Sequence, residues 1–200
     1  YPDLKKLSLE KKDEYLNAKP FPHIYLDNFF NLTYLEKVLN DFPDLSKSKH
    51  TDNMKTTNEK KIVATSPKIF SDNINYFFSF LNSFKFLNFL QNLTGIKEHL
   101  IPDPYFWGGG LHEIKKDGFL KIHADFNIHP LLKLNRRINI LLYLNKEWKD
   151  DWGGHLELWN SEMSKCEFKI LPIFNRVVIF NTTDFSYHGH PEPLNCPANF

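Results

Sequence analysis

Cysteine and long apolar runs are scarce in this chain of 200 residues. The two cysteines, Cys166 and Cys196, have neither CxxC spacing nor the pattern of a disulfide framework, which favours a reducing compartment. No apolar run approaches the roughly 18 residues of a membrane-spanning helix, and no signal peptide is recognisable. We therefore expect a cytoplasmic protein without a membrane partner.

The chain also lacks an excess of charge of either sign. It carries 25 basic and 24 acidic side chains, which give a formal net charge of +1. Attraction of nucleic acid or of an anionic membrane through the field of the whole molecule requires a basic excess. The composition therefore argues against nucleic acid as a partner. It does not exclude a local patch of basic residues.

Aromatic and apolar residues, in contrast, are plentiful. Hydrophobic residues make up 42% of the chain, and its 19 phenylalanines are most simply explained as core and pocket walls. The length suits one domain with a substantial core. We expect a single domain over residues 1–200, with mainly helical support in residues 1–100 and a β core in residues 101–200.

The first hundred residues show mainly helical patterns. Apolar residues recur at helical spacing, and Pro20, Pro43 and Gly95 supply stop signals. The predicted helices cover residues 1–18, 33–42 and 71–93, the last in one or two pieces. Residues 20–30 predict a short strand, and the polar residues 44–61 predict a surface loop.

Strand-like segments follow one another in the second half of the chain. Turn signals such as Asp117-Gly118 and Gly153-Gly154 separate them. The predicted strands cover residues 106–115, 119–125, 137–145, 154–160, 166–171, 175–181 and 186–190. This series predicts an α+β chain whose β part is a jelly roll or related barrel, buttressed by the N-terminal helices.

A His-x-Asp pair lies on the second of these strands. The two-residue period of a strand aims His123 and Asp125 at the same place. A third ligand can come from His188 or His190, and we prefer His188 because Pro191 restricts the backbone of His190. Two imidazoles and one carboxylate with open positions suit non-haem Fe(II). Periodicity alone leaves a structural role for these residues open, and the other histidine is a candidate on the substrate side.

From about residue 20 to its end, the chain resembles the Fe(II)- and 2-oxoglutarate-dependent oxygenases of the prolyl 4-hydroxylase-like branch. The matching motifs lie at residues 109–112, 123–127, 137–145, 152–159, 172–180 and 187–191. The resemblance implies a double-stranded β-helix in which His123, Asp125 and His188 hold the iron and are the catalytic residues. Fe(II), the cosubstrate 2-oxoglutarate and ascorbate are the implied cofactors.

The resemblance also implies a reaction. We expect a dioxygenase that uses O2 to hydroxylate an unactivated C–H bond of a prolyl residue or of a small metabolite, with 2-oxoglutarate converted to succinate and CO2. A cupin-like module that binds a metal or a sugar without turnover is the alternative.

The family further requires a tyrosine and a basic residue for 2-oxoglutarate. Asn139, Leu141 and Tyr143 share one face of their strand, and the resemblance implies that Tyr143 hydrogen-bonds the cosubstrate while the other two point the same way. The basic residue normally follows the last histidine on one more strand, but residues 189–200 contain no Arg and no Lys. Either the natural chain continues beyond Phe200, which we expect, or the cosubstrate is bound differently.

Overall fold

A computed structural model describes residues 1–103 and 105–198 of the chain. The helices are α1 (Leu4–Asn17), α2 (Leu32–Asn40), α3 (Asp72–Leu81) and α4 (Phe84–Thr94). They agree with the predicted helices, and the segment expected in one or two pieces forms two. Among the described residues no helix has both the length and the apolar character that a membrane crossing needs.

In the part of the chain that the structure describes, ten strands form two antiparallel sheets. They are β1 (His23–Leu26), β2 (Asp52–Lys55), β3 (Glu59–Ala64), β4 (Leu111–Glu113), β5 (Phe119–His123), β6 (Ile138–Tyr143), β7 (Leu156–Trp159), β8 (Cys166–Ile170), β9 (Arg176–Asn181) and β10 (His188–His190). The smaller sheet has the order β1-β9-β6, and the larger has the order β2-β3-β5-β10-β7-β8 with β4 paired to β3. The strand expected after Phe200 lies outside the described residues.

The helices form a layer that shares one apolar core with the smaller sheet, and Phe77, Phe86 and Phe89 are among its buried residues. Ser71 and Ser83 cap α3 and α4 by accepting hydrogen bonds from backbone amides, and Gly95 ends α4 in the left-handed conformation that glycine favours. Tyr15 of α1 is fully buried and donates a hydrogen bond of 2.6 Å to Asn181 at the end of β9. This contact ties the first helix to the barrel.

The strand β6 separates two clusters of apolar side chains. Ile138, Ile140 and Leu142 pack against the core that the helices share, whereas Leu141 and Tyr143 pack against a smaller cluster between the sheets. The alternation predicted for this strand is therefore confirmed. Its odd-numbered positions, which include Asn139, face the interior between the two sheets.

The prediction of a surface loop over residues 44–61 is wrong for most of this segment. A 3-10 turn at Leu45–Lys47 buries Leu45 completely, and β2 and β3 form a hairpin that extends the larger sheet. The polar composition hid this hairpin because the buried residues of β3, such as Ile62 and Ala64, come only at its end. The strand predicted at 106–115 is also shorter, since only Leu111–Glu113 pairs with β3.

Candidate metal centre

The pairing of β10 with β5 brings the two predicted imidazoles together. His188 lies opposite His123 in the ladder, and their ring centroids are 4.6 Å apart. Asp125 follows β5 by two residues. One potential ligand atom from each of the three residues lies within 4.8 Å of the others. The three side chains that are far apart in sequence therefore converge on one point, whereas His190 does not join this group.

Hydrogen bonds orient both imidazoles toward that point. The Nδ1 atom of His123 is 2.8 Å from the Lys121 carbonyl oxygen, and the Nδ1 atom of His188 is 2.9 Å from the Ser186 carbonyl oxygen. A carbonyl only accepts, so each Nδ1 carries the proton and each Nε2 presents a lone pair. The Nε2 atoms lie 3.8 Å and 3.7 Å from the Asp125 carboxylate oxygens. This donor set fits one Fe(II) ion.

The electrostatic environment keeps His188 neutral. Burial lowers the pKa of His188 to about 4, an effect that the negative charge of Asp125 opposes and the adjacent His123 reinforces. An imidazole must be deprotonated at one nitrogen to bind a metal. His188 is therefore prepared as a ligand at neutral pH.

Two neighbours hold the carboxylate of Asp125. Asn139 donates a hydrogen bond of 2.7 Å from its Nδ2 to Oδ2, and a guanidinium nitrogen of Arg136 lies 3.4 Å from the same oxygen. Arg136 also lies over the ring of Phe126, 4.7 Å from its centroid. Sequence reasoning assigned Asn139 to the cosubstrate, and it did not connect Arg136 with Asp125, since spacing along the chain does not show which strand ends meet.

The remaining predicted cosubstrate residues lie inside the barrel. Leu141 and Tyr143 pack on the cluster that contains Phe180, and the Phe180 ring lies 4.7 Å from the ring of His188. Burial raises the pKa of Tyr143, and the charge of Arg176 opposes this only in part. The phenol is therefore a neutral donor in an apolar space that begins at the metal centre.

An exposed apolar surface, here called the apolar rim, borders the metal centre. The segment after Asp125 folds back on itself through the pairing of Ile128 with Asn135, and the Trp107 ring lies 5.3 Å from the ring of His129. Side chains exposed by 38 to 74% make up the rim: Trp107, Phe126, Ile128, Leu131, Leu132 and Leu134. Exposed apolar groups in such number mark a surface that binds another molecule.

Fold and site together define the class: a double-stranded β-helix with two histidines and one carboxylate that converge, as in non-haem iron oxygenases. Residues 109–198 match the 2OG-Fe(II) oxygenase superfamily. This match bears out the resemblance noted in the sequence. Fe(II) and 2-oxoglutarate are the cofactors that this superfamily implies, and the His-Asp-His group fits the metal.

Similar proteins agree with this assignment. The chain is 26% identical over 195 residues to prolyl 3-hydroxylase OGFOD1 of Xenopus laevis, a match that covers 90% of this chain and 33% of that protein. The chain thus spans about one third of the length of this curated relative.

Solved structures confirm the double-stranded β-helix. A prolyl hydroxylase from Trichoplax adhaerens, in complex with a hypoxia inducible factor peptide fragment, superposes with a TM-score of 0.66 at 20% identity, over 96% of this chain and 85% of that one. A prolyl-4-hydroxylase from Pseudomonas putida gives 0.62 at 13% identity, over 94% and 93%. At these identities the likeness establishes the fold alone.

Proposed function

We propose that this chain is an Fe(II)- and 2-oxoglutarate-dependent dioxygenase that hydroxylates a prolyl residue of a peptide. The convergence of the His123 and His188 Nε2 atoms with the Asp125 carboxylate within 4.8 Å carries this proposal. When bound, the iron and its cosubstrate supply the oxidation: one atom of O2 enters the C–H bond, and the other enters the succinate that forms as 2-oxoglutarate loses CO2.

The chain's own residues bind, orient and exclude water. His123, His188 and Asp125 would hold the ion on one side and leave the other side open. Asn139 and Arg136 fix Oδ2 of the carboxylate, and the interior around Tyr143 keeps bulk water from the cosubstrate.

Two observations support a peptide as the substrate class. The curated relative is a prolyl 3-hydroxylase, and the Trichoplax adhaerens neighbour was solved with a peptide bound. The apolar rim also offers exposed apolar side chains next to Asp125 in the chain, against which the residues that flank a proline can pack. The cupin-like binding module is not favoured, since the chain matches an oxygenase superfamily.

A cytoplasmic location and a requirement for ascorbate stay predictions.

The test combines the protein with Fe(II), 2-oxoglutarate, O2 and a library of proline-containing peptides. We expect succinate release that depends on the peptide, together with the mass of one added oxygen atom on a prolyl residue. Asp125→Ala should abolish both, and Asp13→Ala, an exposed carboxylate of α1, should change neither. Succinate release that only small metabolites stimulate would overturn the substrate class, and normal turnover by Asp125→Ala would overturn the site.

A further inference from the structure

A basic pocket of about 250 Å³ lies beside the hairpin of β2 and β3. Five lysines contribute to its lining: Lys55, Lys60, Lys61, Lys115 and Lys116. None of its lining residues belongs to the His-Asp-His group or to the apolar rim. The balanced charge of the whole chain therefore conceals a local concentration of positive charge at this place.

The strand register gathers this charge on one face of the hairpin. Lys55 of β2 lies directly opposite Lys60 of β3, and directly opposed residues share a face of a sheet. Ile62 follows Lys60 by two residues and therefore shares that face, and it lies opposite Glu113 of β4. The Nζ atom of Lys115 lies 3.5 Å from the Glu113 carboxylate. The basic face thus continues from the hairpin onto β4.

Most of the positive charge in the pocket is not neutralised by the chain itself. Two of the five lysines have carboxylate partners, at 2.9 and 3.5 Å. The other three, Lys55, Lys60 and Lys116, form no ion pair with residues 1–103 or 105–198. Like charges that lie directly opposite each other on two strands are destabilising. An anionic group from another molecule, placed between Lys55 and Lys60, would relieve that repulsion.

The strand β2 also presents an open edge. It is the terminal strand of the larger sheet and pairs with β3 alone. Across the described chain, no hydrogen bond reaches the other edge of its backbone. A row of unpaired N–H and C=O groups is a template for a strand of another chain. A nucleic acid offers no backbone that can pair in this way, so the open edge favours a protein partner.

The side chains of β2 select the sequence of an added strand. Lysine on an edge discourages pairing with apolar or basic strands. A residue opposite Lys55 in an added strand would share its face, where an acidic side chain is favourable. Asp52 precedes Lys55 by three residues and lies on the other face, where it would repel an acidic side chain. The best partner strand therefore carries its acidic residues at alternate positions.

We propose that the open edge of β2 and the lysine pocket beside it bind an extended segment of a partner protein with acidic residues at alternate positions. Backbone hydrogen bonds to β2 hold the segment, and Lys55, Lys60 and Lys116 bind its carboxylates. This interaction uses neither iron nor 2-oxoglutarate, so it does not depend on the proposed function.

The test uses a fluorescently labelled, end-blocked peptide of eight residues in which Thr and Glu alternate. Threonine favours the extended conformation, and the alternation places every glutamate on one face. Fluorescence anisotropy measures its binding to the whole chain without iron. We expect saturable binding that weakens as the salt concentration rises. We expect no binding of the matched peptide with Gln in place of Glu. A Thr-Glu peptide methylated at alternate backbone nitrogens should bind at least about 10-fold more weakly, since it cannot donate hydrogen bonds along one edge.

The double variant Lys55→Met/Lys60→Met tests the pocket. Each exposed ion pair contributes modestly, so we expect a loss of about 5- to 20-fold in affinity for the Thr-Glu peptide. Lys165→Met, at an exposed lysine between β7 and β8, is the matched control and should bind as the wild type does. Thermal unfolding separates binding from folding, because loss of two opposed like charges should leave the double variant at least as stable as the wild type.

Absence of binding by the Thr-Glu peptide, or an unchanged affinity in the double variant, would overturn the proposal. Equal affinity for the Gln peptide would overturn the role of charge, and equal affinity for the methylated peptide would overturn the strand pairing. Tighter binding of an oligothymidylate with the same number of negative charges would also overturn the proposal, because it would identify a surface for nucleic acid.

Discussion

At the scale of single residues, the centre depends on how the Asp125 carboxylate is held. Both Asn139 and Arg136 act on Oδ2, which leaves Oδ1 on the side of His123. Groups that hydrogen-bond a ligating carboxylate fix its orientation and thereby contribute to metal affinity. We therefore expect Asn139 to act as a positioning residue for a metal held by Asp125.

The variant Asn139→Leu tests this role. It keeps a similar volume but removes the donor to Oδ2, so the carboxylate is free to rotate. We expect a loss of about 10- to 100-fold in metal affinity, measured by calorimetric titration of Zn(II) or Co(II). Asn53→Leu, on the exposed strand β2, is the control. Metal affinity equal to that of the wild type would show that Asn139 does not orient the carboxylate.

A second residue, Asn175, directly precedes β9 and links it to the end of β6 and to the loop between β1 and α2. Its side chain accepts a hydrogen bond from the Phe30 amide at 2.9 Å and donates one to the Phe30 carbonyl at 2.8 Å. Its own amide donates to the Tyr143 carbonyl at 2.9 Å. Asn175 is buried and has a φ of 62°, a conformation that asparagine tolerates better than most residues.

Replacement of Asn175 should reduce stability in two separable steps. Asn175→Ala leaves both polar groups of Phe30 without partners and should cost about 2–4 kcal/mol. Asn175→Gly loses the same hydrogen bonds but relieves the positive φ, so it should be less destabilising by about 1 kcal/mol. Urea unfolding measures both. Equal stabilities of the two variants would show that the positive φ at position 175 does not add to the loss of stability in Asn175→Ala.

At the scale of the elements, the close approach of β10 to β5 sets the distance between the two imidazoles. A Cβ atom on Gly189 would lie 2.7 Å from the Leu120 carbonyl oxygen and 2.8 Å from that of Lys121. These are backbone atoms of the paired strand, which cannot move aside alone. Glycine is therefore required between the two histidines of β10.

The variant Gly189→Ala should push β10 away from β5. We expect a loss of about 1–3 kcal/mol in stability from overpacking, together with weaker metal binding because His188 moves from His123. Gly109→Ala is the control, because a Cβ atom there would approach nothing closer than 3.9 Å and its φ is not positive. A Gly189→Ala variant with wild-type stability and metal affinity would contradict the requirement for close strand contact.

The elements also show what the sequence could and could not predict. Helices such as α3 and α4 were predictable because their apolar residues recur at intervals of three and four residues. Their capping residues also lie next to them in the sequence. The hairpin of β2 and β3 was missed because its outer positions are polar and its pairing with β4 and β5 is long-range. Likewise, spacing placed His123 beside Asp125, but the register that sets His188 opposite His123 is a property of two distant strands.

At the scale of the whole molecule, the two sheets supply the residues of the candidate site, and the helical layer supports the smaller sheet. The larger sheet carries two of the three candidate iron ligands, His123 on β5 and His188 on β10, and Asp125 lies two residues after the end of β5. The smaller sheet carries Asn139 and Tyr143 on β6, whose other face packs on the helices. The site therefore lies where the sheets face each other, and its geometry depends on contacts between them that no single segment encodes.

The most direct test of the central claim is the visible absorption of the protein after anaerobic addition of Fe(II) and 2-oxoglutarate. We predict the weak charge-transfer band of a chelated iron, saturating at one Fe(II) per chain, and its loss in Asp125→Ala and His188→Ala. A wild-type protein without this band, or a band that survives in both variants, would contradict the account.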